Sequence, residues 1–163
     1  MKHIKKLSLI FIFIFIILFN GCTMDDPKYI NFKEKPSLNY YCTEIHNRLL
    51  KGENYSLSIY DTNVTKLIRI DDSEKVIVDN FFSYLSNDSY QKYENITDIE
   101  PYQFRIIFDD IQYVIKIFNN EKVSIFPWDG TYNEDIISMT NIPARYNLYD
   151  FCEYIKNRVY SNQ

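Results

Sequence analysis

The sequence contains one pair of side chains that could support nucleophilic catalysis. His46 follows Cys42 by one helical turn, so a thiol and an imidazole could meet on one face of a helix. A cysteine nucleophile needs a partly exposed thiolate and an oriented base, whereas Cys42 lies on the apolar stripe of its predicted helix. The chain has no G-x-S-x-G motif, and it has too few Cys and His residues for a structural zinc site. We therefore predict no catalytic residue, no metal ligand and no cofactor.

Carboxylates are the other groups that could carry out chemistry, and they occur in three clusters. These are Asp71 with Asp72 and Glu74, Asp109 with Asp110, and Asp129 with Glu134 and Asp135. The first cluster is typical of a helix cap and the second of a hairpin turn. The third could hold Ca²⁺, although it lacks the alternating acidic ladder of an EF-hand. Two carboxylates could also serve a glycosidase, but spacing along a chain does not determine their separation in space.

Two cysteines, Cys42 and Cys152, could form a disulfide. The bond would close a loop of about 110 residues, which is worth roughly 4–5 kcal/mol in the chain-entropy model. Both cysteines lie on apolar helical stripes, where a reduced cysteine behaves as a small buried apolar residue. The sequence leaves both interpretations open.

Aromatic side chains concentrate in the segment 126–150, which is longer than the connection that a meander needs. Long connections that carry aromatic residues are candidate recognition surfaces. The alternative is that these side chains cover one end of the core. The candidate binding residues are Trp128, the only tryptophan of the chain, with Asp129, Tyr132, Tyr146 and Tyr149.

Hydrophobic periodicity predicts the elements that must position these residues. Apolar residues recur at helical spacing in three segments, 38–49, 77–85 and 148–159, and Asn147 can cap the last of them. Alternating patterns predict a hairpin over 55–70 and a three-stranded meander over 102–125, with Pro127 ending the third strand or placing it at an edge. We therefore predict an α+β domain in the order α-ββ-α-βββ-α. Its antiparallel sheet should have about five strands, with the helices packed mainly on one face.

The first 22 residues have the layout of a secretory signal. Three lysines precede an apolar run of about thirteen residues, which is too short for a membrane-spanning helix of roughly twenty. The run ends on Asn20, Gly21 and Cys22. This end resembles the lipobox of bacterial lipoproteins, with Gly21 and Cys22 matching and Phe19 in the position that is usually aliphatic. An ordinary secretory signal and an uncleaved signal anchor are the alternatives.

The resemblance implies cleavage before Cys22 and a diacylglyceryl group on its sulfur, and two acyl chains suffice for stable anchoring. It divides the chain into a signal peptide over 1–21, a lipid-anchored tether over 22–36 and a single globular domain over 37–163. The chain as a whole also resembles small uncharacterised lipoproteins of AT-rich, clostridial-type Gram-positive bacteria. We therefore expect a protein that is lipid-anchored on the extracytoplasmic face of the cell membrane.

Charge narrows the range of partners. Removing the signal removes three lysines and no acidic residue, which lowers the formal net charge from −4 to −7. Such a domain binds nucleic acid poorly and is repelled by anionic lipid headgroups. We predict a non-catalytic binding or interaction module that engages an envelope protein or a cell-wall component. The alternative is an envelope hydrolase that uses paired carboxylates, with Ca²⁺ as a candidate cofactor.

Overall fold

The computed structural model describes residues 34–161. The predicted signal peptide, Cys22 and almost all of the predicted tether lie outside these residues. Within the described range, no helix is both long enough and apolar enough to cross a membrane.

Three α-helices and seven β-strands form the described part of the chain. In chain order they are α1 (Tyr40–Leu50), β1 (Ser56–Asp61), β2 (Lys66–Arg69), α2 (Val76–Tyr84), β3 (Tyr90–Gln91), β4 (Tyr102–Ile107), β5 (Gln112–Ile117), β6 (Lys122–Pro127), β7 (Asp135–Ser138) and α3 (Leu148–Ser161). Short 3₁₀ turns precede α2, β3 and α3. The α+β class predicted from the sequence is confirmed.

The sheet is larger than predicted. Its strand order is β2-β1-β4-β5-β6-β7-β3, and every neighbouring pair is antiparallel. The prediction of about five strands in the order α-ββ-α-βββ-α was wrong because it omitted β3 and β7. Both are short and lie in segments rich in polar and turn-forming residues, so neither gives a clear alternating pattern. Pro127 does end β6, which lies inside the sheet between β5 and β7.

One face of the sheet forms the core together with the helices. The register aligns Ile59, Phe104, Ile115 and Ile125 across four neighbouring strands, and all four are buried in the same cluster as the inner residues of the helices. The buried helical residues are Tyr41, Cys42 and Ile45 of α1, Ile77, Val78, Phe81 and Phe82 of α2, and Leu148, Cys152 and Ile155 of α3. The side chains between these strand positions point to the opposite face.

Two adjacent isoleucines on β4 test this assignment of faces. Ile106 is completely buried, whereas Ile107 is 39% exposed on the other face. We expect Ile106→Ala to lower the free energy of unfolding by about 3 kcal/mol, because it leaves a cavity in the core. Ile107→Ala should cost less than about 1 kcal/mol. Urea unfolding followed by circular dichroism checks both values, and similar losses for the two variants would contradict the register.

Candidate functional site

A buried carboxylate lies where the chain enters the domain. Asp135, the first residue of β7, has no exposed surface, and its Oδ1 lies 2.5 Å from Nζ of Lys35. Nζ of Lys35 also donates a hydrogen bond of 3.0 Å to the carbonyl oxygen of Glu134, and it lies 5.5 Å from the centre of the Tyr41 ring. Lys35 is thus held by a carboxylate, a carbonyl oxygen and an aromatic ring.

The same carboxylate caps α1. Asn39 occupies the N-cap position but makes no side-chain capping bond. Instead, the backbone N–H of Cys42, the third residue of the helix, donates a hydrogen bond of 2.8 Å to Oδ2 of Asp135. A carboxylate at this position satisfies a helix donor that would otherwise lack a partner, and it interacts favourably with the positive end of the helix dipole. Burial raises the pKa of Asp135, while the Lys35 ammonium acts in the opposite direction.

The turn between β6 and β7, residues 128–134, is tied to α1 by a tyrosine. The hydroxyl of Tyr41 accepts a hydrogen bond of 2.8 Å from the N–H of Tyr132 and donates one of 3.1 Å to the carbonyl oxygen of Tyr132. The ring of Tyr132 also packs edge-on against that of Tyr40, with 5.2 Å between ring centres. The backbone of this turn is therefore fixed from the side of α1.

A second set of contacts fixes the start of the β6–β7 turn. The N–H of Trp128 donates to the carbonyl oxygen of Gln112 at 2.9 Å, and that of Gly130 donates to Pro127 at 3.1 Å. A Cβ atom on Gly130 would lie 3.0 Å from the Tyr41 hydroxyl and 3.1 Å from the Pro127 ring. The closeness of Tyr41 and Pro127 to this position therefore favours glycine at residue 130. The Trp128 side chain is nevertheless 69% exposed.

The structure separates the five candidate binding residues into two groups. Trp128, Asp129 and Tyr132 belong to the β6–β7 turn, at the end of the sheet where β7 begins. Tyr146 and Tyr149 follow the other end of β7. There the Tyr146 ring lies 4.9 Å from that of Tyr84 on α2, and the Tyr149 ring lies 5.9 Å from that of Tyr102 on β4. The binding role of all five stays a prediction.

The two cysteines are buried free thiols. Burial raises the pKa of both well above that of an ordinary thiol, so neither is a ready source of thiolate. The ring of His46 stacks on Phe82 with 6.4 Å between ring centres. These side chains occupy structural positions, and no disulfide joins Cys42 to Cys152 in this structure.

Ion pairs engage most of the clustered carboxylates. Glu74 makes a two-pronged pair with Arg158, at 2.7 and 2.9 Å, and Asp110 makes one with Arg48, at 2.7 and 2.8 Å. Further pairs join Asp72 to Lys75, Glu134 to Lys116 and Asp135 to Lys35. Within the described residues, no group of three or more His, Cys, Asp or Glu side chains has an arrangement suited to a metal ion.

An open polar pocket of about 370 Å³ lies beside the start of α2. It is lined by Glu53, Asn54, Tyr55, Asp72, Lys75, Val76 and Asp79. The ammonium of Lys75 is already bound by the carbonyl oxygen of Tyr55 at 2.5 Å and by Asp72 at 2.6 Å. Partial desolvation raises the pKa of Asp79. Lys75 and Asp72 pair with each other, and Glu53 pairs with Arg48 outside the pocket, so we do not assign it a ligand.

The sequence analysis did not identify Lys35 or Tyr41 as site residues. Lys35 lies in the stretch predicted to be the tether, and Tyr41 lies on a helical stripe that looked purely apolar. Their partners, Asp135 and Tyr132, are more than 90 residues away along the chain. Only a long-range contact could have revealed these roles.

Lys35 and Lys116 provide a matched pair of variants. Lys35→Met leaves a fully buried carboxylate without its cation, so we expect it to lower the free energy of unfolding by about 3–5 kcal/mol at pH 7. Lys116→Met breaks an ion pair in which both side chains are partly exposed, and it should cost less than about 1 kcal/mol.

The loss of unfolding free energy caused by Lys35→Met should also depend on pH. Without the ammonium, the raised pKa of Asp135 rises further above its ordinary value of 3.8, so the folded variant binds a proton more readily than the unfolded chain. Its stability relative to wild type should therefore recover as the pH falls from 7 towards about 4. Urea unfolding at a series of pH values checks this. A loss that is independent of pH, or equal to that of Lys116→Met, would contradict the assigned role of Lys35.

Comparisons with known proteins agree with the lipoprotein resemblance. The structure is similar to the crystal structure of a "Putative Lipoprotein from Clostridium perfringens", with a TM-score of 0.69 and 26% sequence identity over 76% of this chain and 99% of that chain. A search of curated proteins finds no match. The model of the family described as "Domain of unknown function (DUF4883)" matches residues 35–152, a range that begins at Lys35. The chain therefore belongs to the DUF4883 family.

Proposed function

We propose that the protein is a lipid-anchored module on the extracytoplasmic face of the cell membrane, and that it binds a partner through the β6–β7 turn without catalysing a reaction. Two observations support the anchor. The segment 1–22 has the layout of a lipoprotein signal ending at Cys22, and the structure is similar to that of a clostridial putative lipoprotein. The attached lipid would be a diacylglyceryl group rich in palmitate.

The observation that carries the binding role is the exposure of Trp128. Tryptophan is enriched at the energetic centres of protein interfaces, because it buries a large area at little entropic cost. Here 69% of its surface is exposed, on a turn whose backbone is fixed by hydrogen bonds to Gln112 and Tyr41. A rigid turn loses little conformational entropy on binding. Binding through Trp128 should therefore cost little entropy from ordering the turn.

Several features support a non-catalytic role. Both thiols of the described chain are buried with raised pKa values, and most of the clustered carboxylates are engaged in ion pairs. No contact among the described residues favours the hydrolase alternative. With a formal net charge of −7 after loss of the signal, the domain is also a poor partner for nucleic acid.

The anchor is tested by Cys22→Ala. Cells grown with labelled palmitate should incorporate the label into the wild-type protein and not into the variant, because the thioether to Cys22 is the proposed attachment. Equal labelling of both proteins, or no label on the wild type, would reject the anchor.

The binding role is tested by Trp128→Ala. If Trp128 is the centre of the contact, its loss should weaken partner binding by about 30-fold or more, which corresponds to about 2 kcal/mol. Ile99→Ala is the matched control, since Ile99 is an 83% exposed apolar residue outside the turn. Binding is measured with partners recovered from envelope extracts, and circular dichroism confirms that both variants are folded. Equal binding by the two variants would exclude the turn.

A further inference from the structure

The outer face of the sheet, opposite the helices, carries basic side chains without acidic ones over four neighbouring strands. In β2, β1, β4 and β5, the positions that alternate with the core residues hold Arg69, Arg105 and Lys116, and they hold no aspartate or glutamate. Lys116 is paired with Glu134 of the β6–β7 turn at 2.7 Å. Two arginines are left that no carboxylate of these strand positions neutralises.

The register places these two arginines on either side of one serine. Ser58 of β1 lies opposite Arg69 of β2 and also opposite Arg105 of β4. Because neighbouring strands are about 4.8 Å apart, the Cα atoms of the two arginines are roughly 10 Å apart. Two long side chains can close this gap from opposite directions. Both guanidinium groups can therefore reach one ligand that lies over Ser58.

Neither arginine takes part in an ion pair within the described part of the chain, whereas Arg48 and Arg158 each bind a carboxylate there. The Arg105 guanidinium instead lies over the ring of Tyr60, with its Cζ 4.6 Å from the ring centre. Its Nε is buried and has no hydrogen-bond partner among the described residues. A partly buried cation without a counter-charge is costly, and an anion bound at its outer N–H groups would reduce that cost.

We propose that Arg69 and Arg105 bind a phosphate group of a soluble molecule over Ser58. Stacking on Tyr60 orients the Arg105 guanidinium, and its N–H groups in the guanidinium plane suit oxygen acceptors. The oxygens of a phosphate point in several directions and can accept from guanidinium groups on opposite sides, whereas the two oxygens of a carboxylate lie in one plane. The site uses no residue of the β6–β7 turn, so it does not depend on the proposed function.

A soluble source of the phosphate fits the charge of the protein better than a lipid headgroup does. The mature chain has a formal net charge of −7, and an anionic membrane surface repels an acidic domain as a whole. A single phosphate group on a small molecule can approach the two arginines without bringing such a surface with it.

Nuclear magnetic resonance of arginine side chains can report on each guanidinium separately. The full-length protein, prepared with isotope-labelled arginine in micelles of a neutral detergent, is titrated with inorganic phosphate. We expect the Nε–H resonances of Arg69 and Arg105 to shift with one common dissociation constant, because both side chains contact the same ligand. The resonance of Arg145, which lies over the Tyr146 ring in the turn before α3, should not shift.

Substitutions test the same site by its affinity for inorganic phosphate. Arg69→Gln and Arg105→Gln should each weaken binding by about tenfold or more, since each removes charge-assisted hydrogen bonds. Arg145→Gln is the matched control, because it removes the same charge from another arginine that is stacked on a tyrosine, and it should change the affinity by less than about twofold. Arg69 is exposed, so its variant keeps the test decisive even if Arg105→Gln fails to fold.

Four results would overturn the proposal. The site itself is rejected if phosphate shifts neither resonance, or if Arg145→Gln weakens binding as much as the other two variants do. Acetate that binds as tightly as phosphate would overturn the choice of ligand. Phosphatidylglycerol that is added to the micelles, displaces inorganic phosphate and shifts the same two resonances would assign the site to a lipid headgroup and overturn the soluble source.

Discussion

A buried carboxylate, that of Asp135, connects three elements of the described fold. Removing a carboxylate from water costs several kcal/mol unless partners compensate for it. Here the partners are the Lys35 ammonium at 2.5 Å and the Cys42 N–H at 2.8 Å. They come from the start of the described chain and the start of α1, whereas the carboxylate comes from β7. The buried carboxylate therefore joins three segments that are distant in sequence.

The two terminal helices show which helix starts can be predicted from sequence. Asn147 caps α3, since its side-chain oxygen accepts the N–H groups of Tyr149 and Asp150 at 3.0 and 3.4 Å. That cap was predicted because donor and acceptor are neighbours in the chain. The cap of α1 comes from Asp135, which is 93 residues away from Cys42. The sequence alone grouped Asp135 with Asp129 and Glu134 as a cluster that could hold Ca²⁺, because nothing in that pattern indicates that Asp135 is buried.

The same distinction explains what could be predicted about the sheet. β1, β2, β4, β5 and β6 alternate between apolar and polar residues, or carry β-branched runs. Short turns pair β1 with β2, β4 with β5 and β5 with β6, whereas β1 pairs with β4 across a long stretch of chain. β7 has only four residues and β3 only two. Their pairing depends on Tyr90 lying opposite Ile137 across a long stretch of chain. β7 therefore appeared to be part of a long loop, and Trp128 and Tyr149 appeared to share one surface when a strand separates them.

The charged groups of the described chain serve mainly to hold its elements together. Arg158 joins α3 to Glu74 ahead of α2, Arg48 joins α1 to the β4–β5 turn, and Lys35 joins the start of the described chain to β7. Groups committed in this way are poorly suited to bind and release protons in a catalytic cycle. Trp128 differs from them because its backbone is fixed while its side chain remains exposed. The proposed recognition through Trp128 uses shape and apolar contact and needs no proton transfer. Tyr41 connects the β6–β7 turn to the start of the described chain, because its hydroxyl bonds the backbone of Tyr132 and its ring lies beneath the Lys35 ammonium.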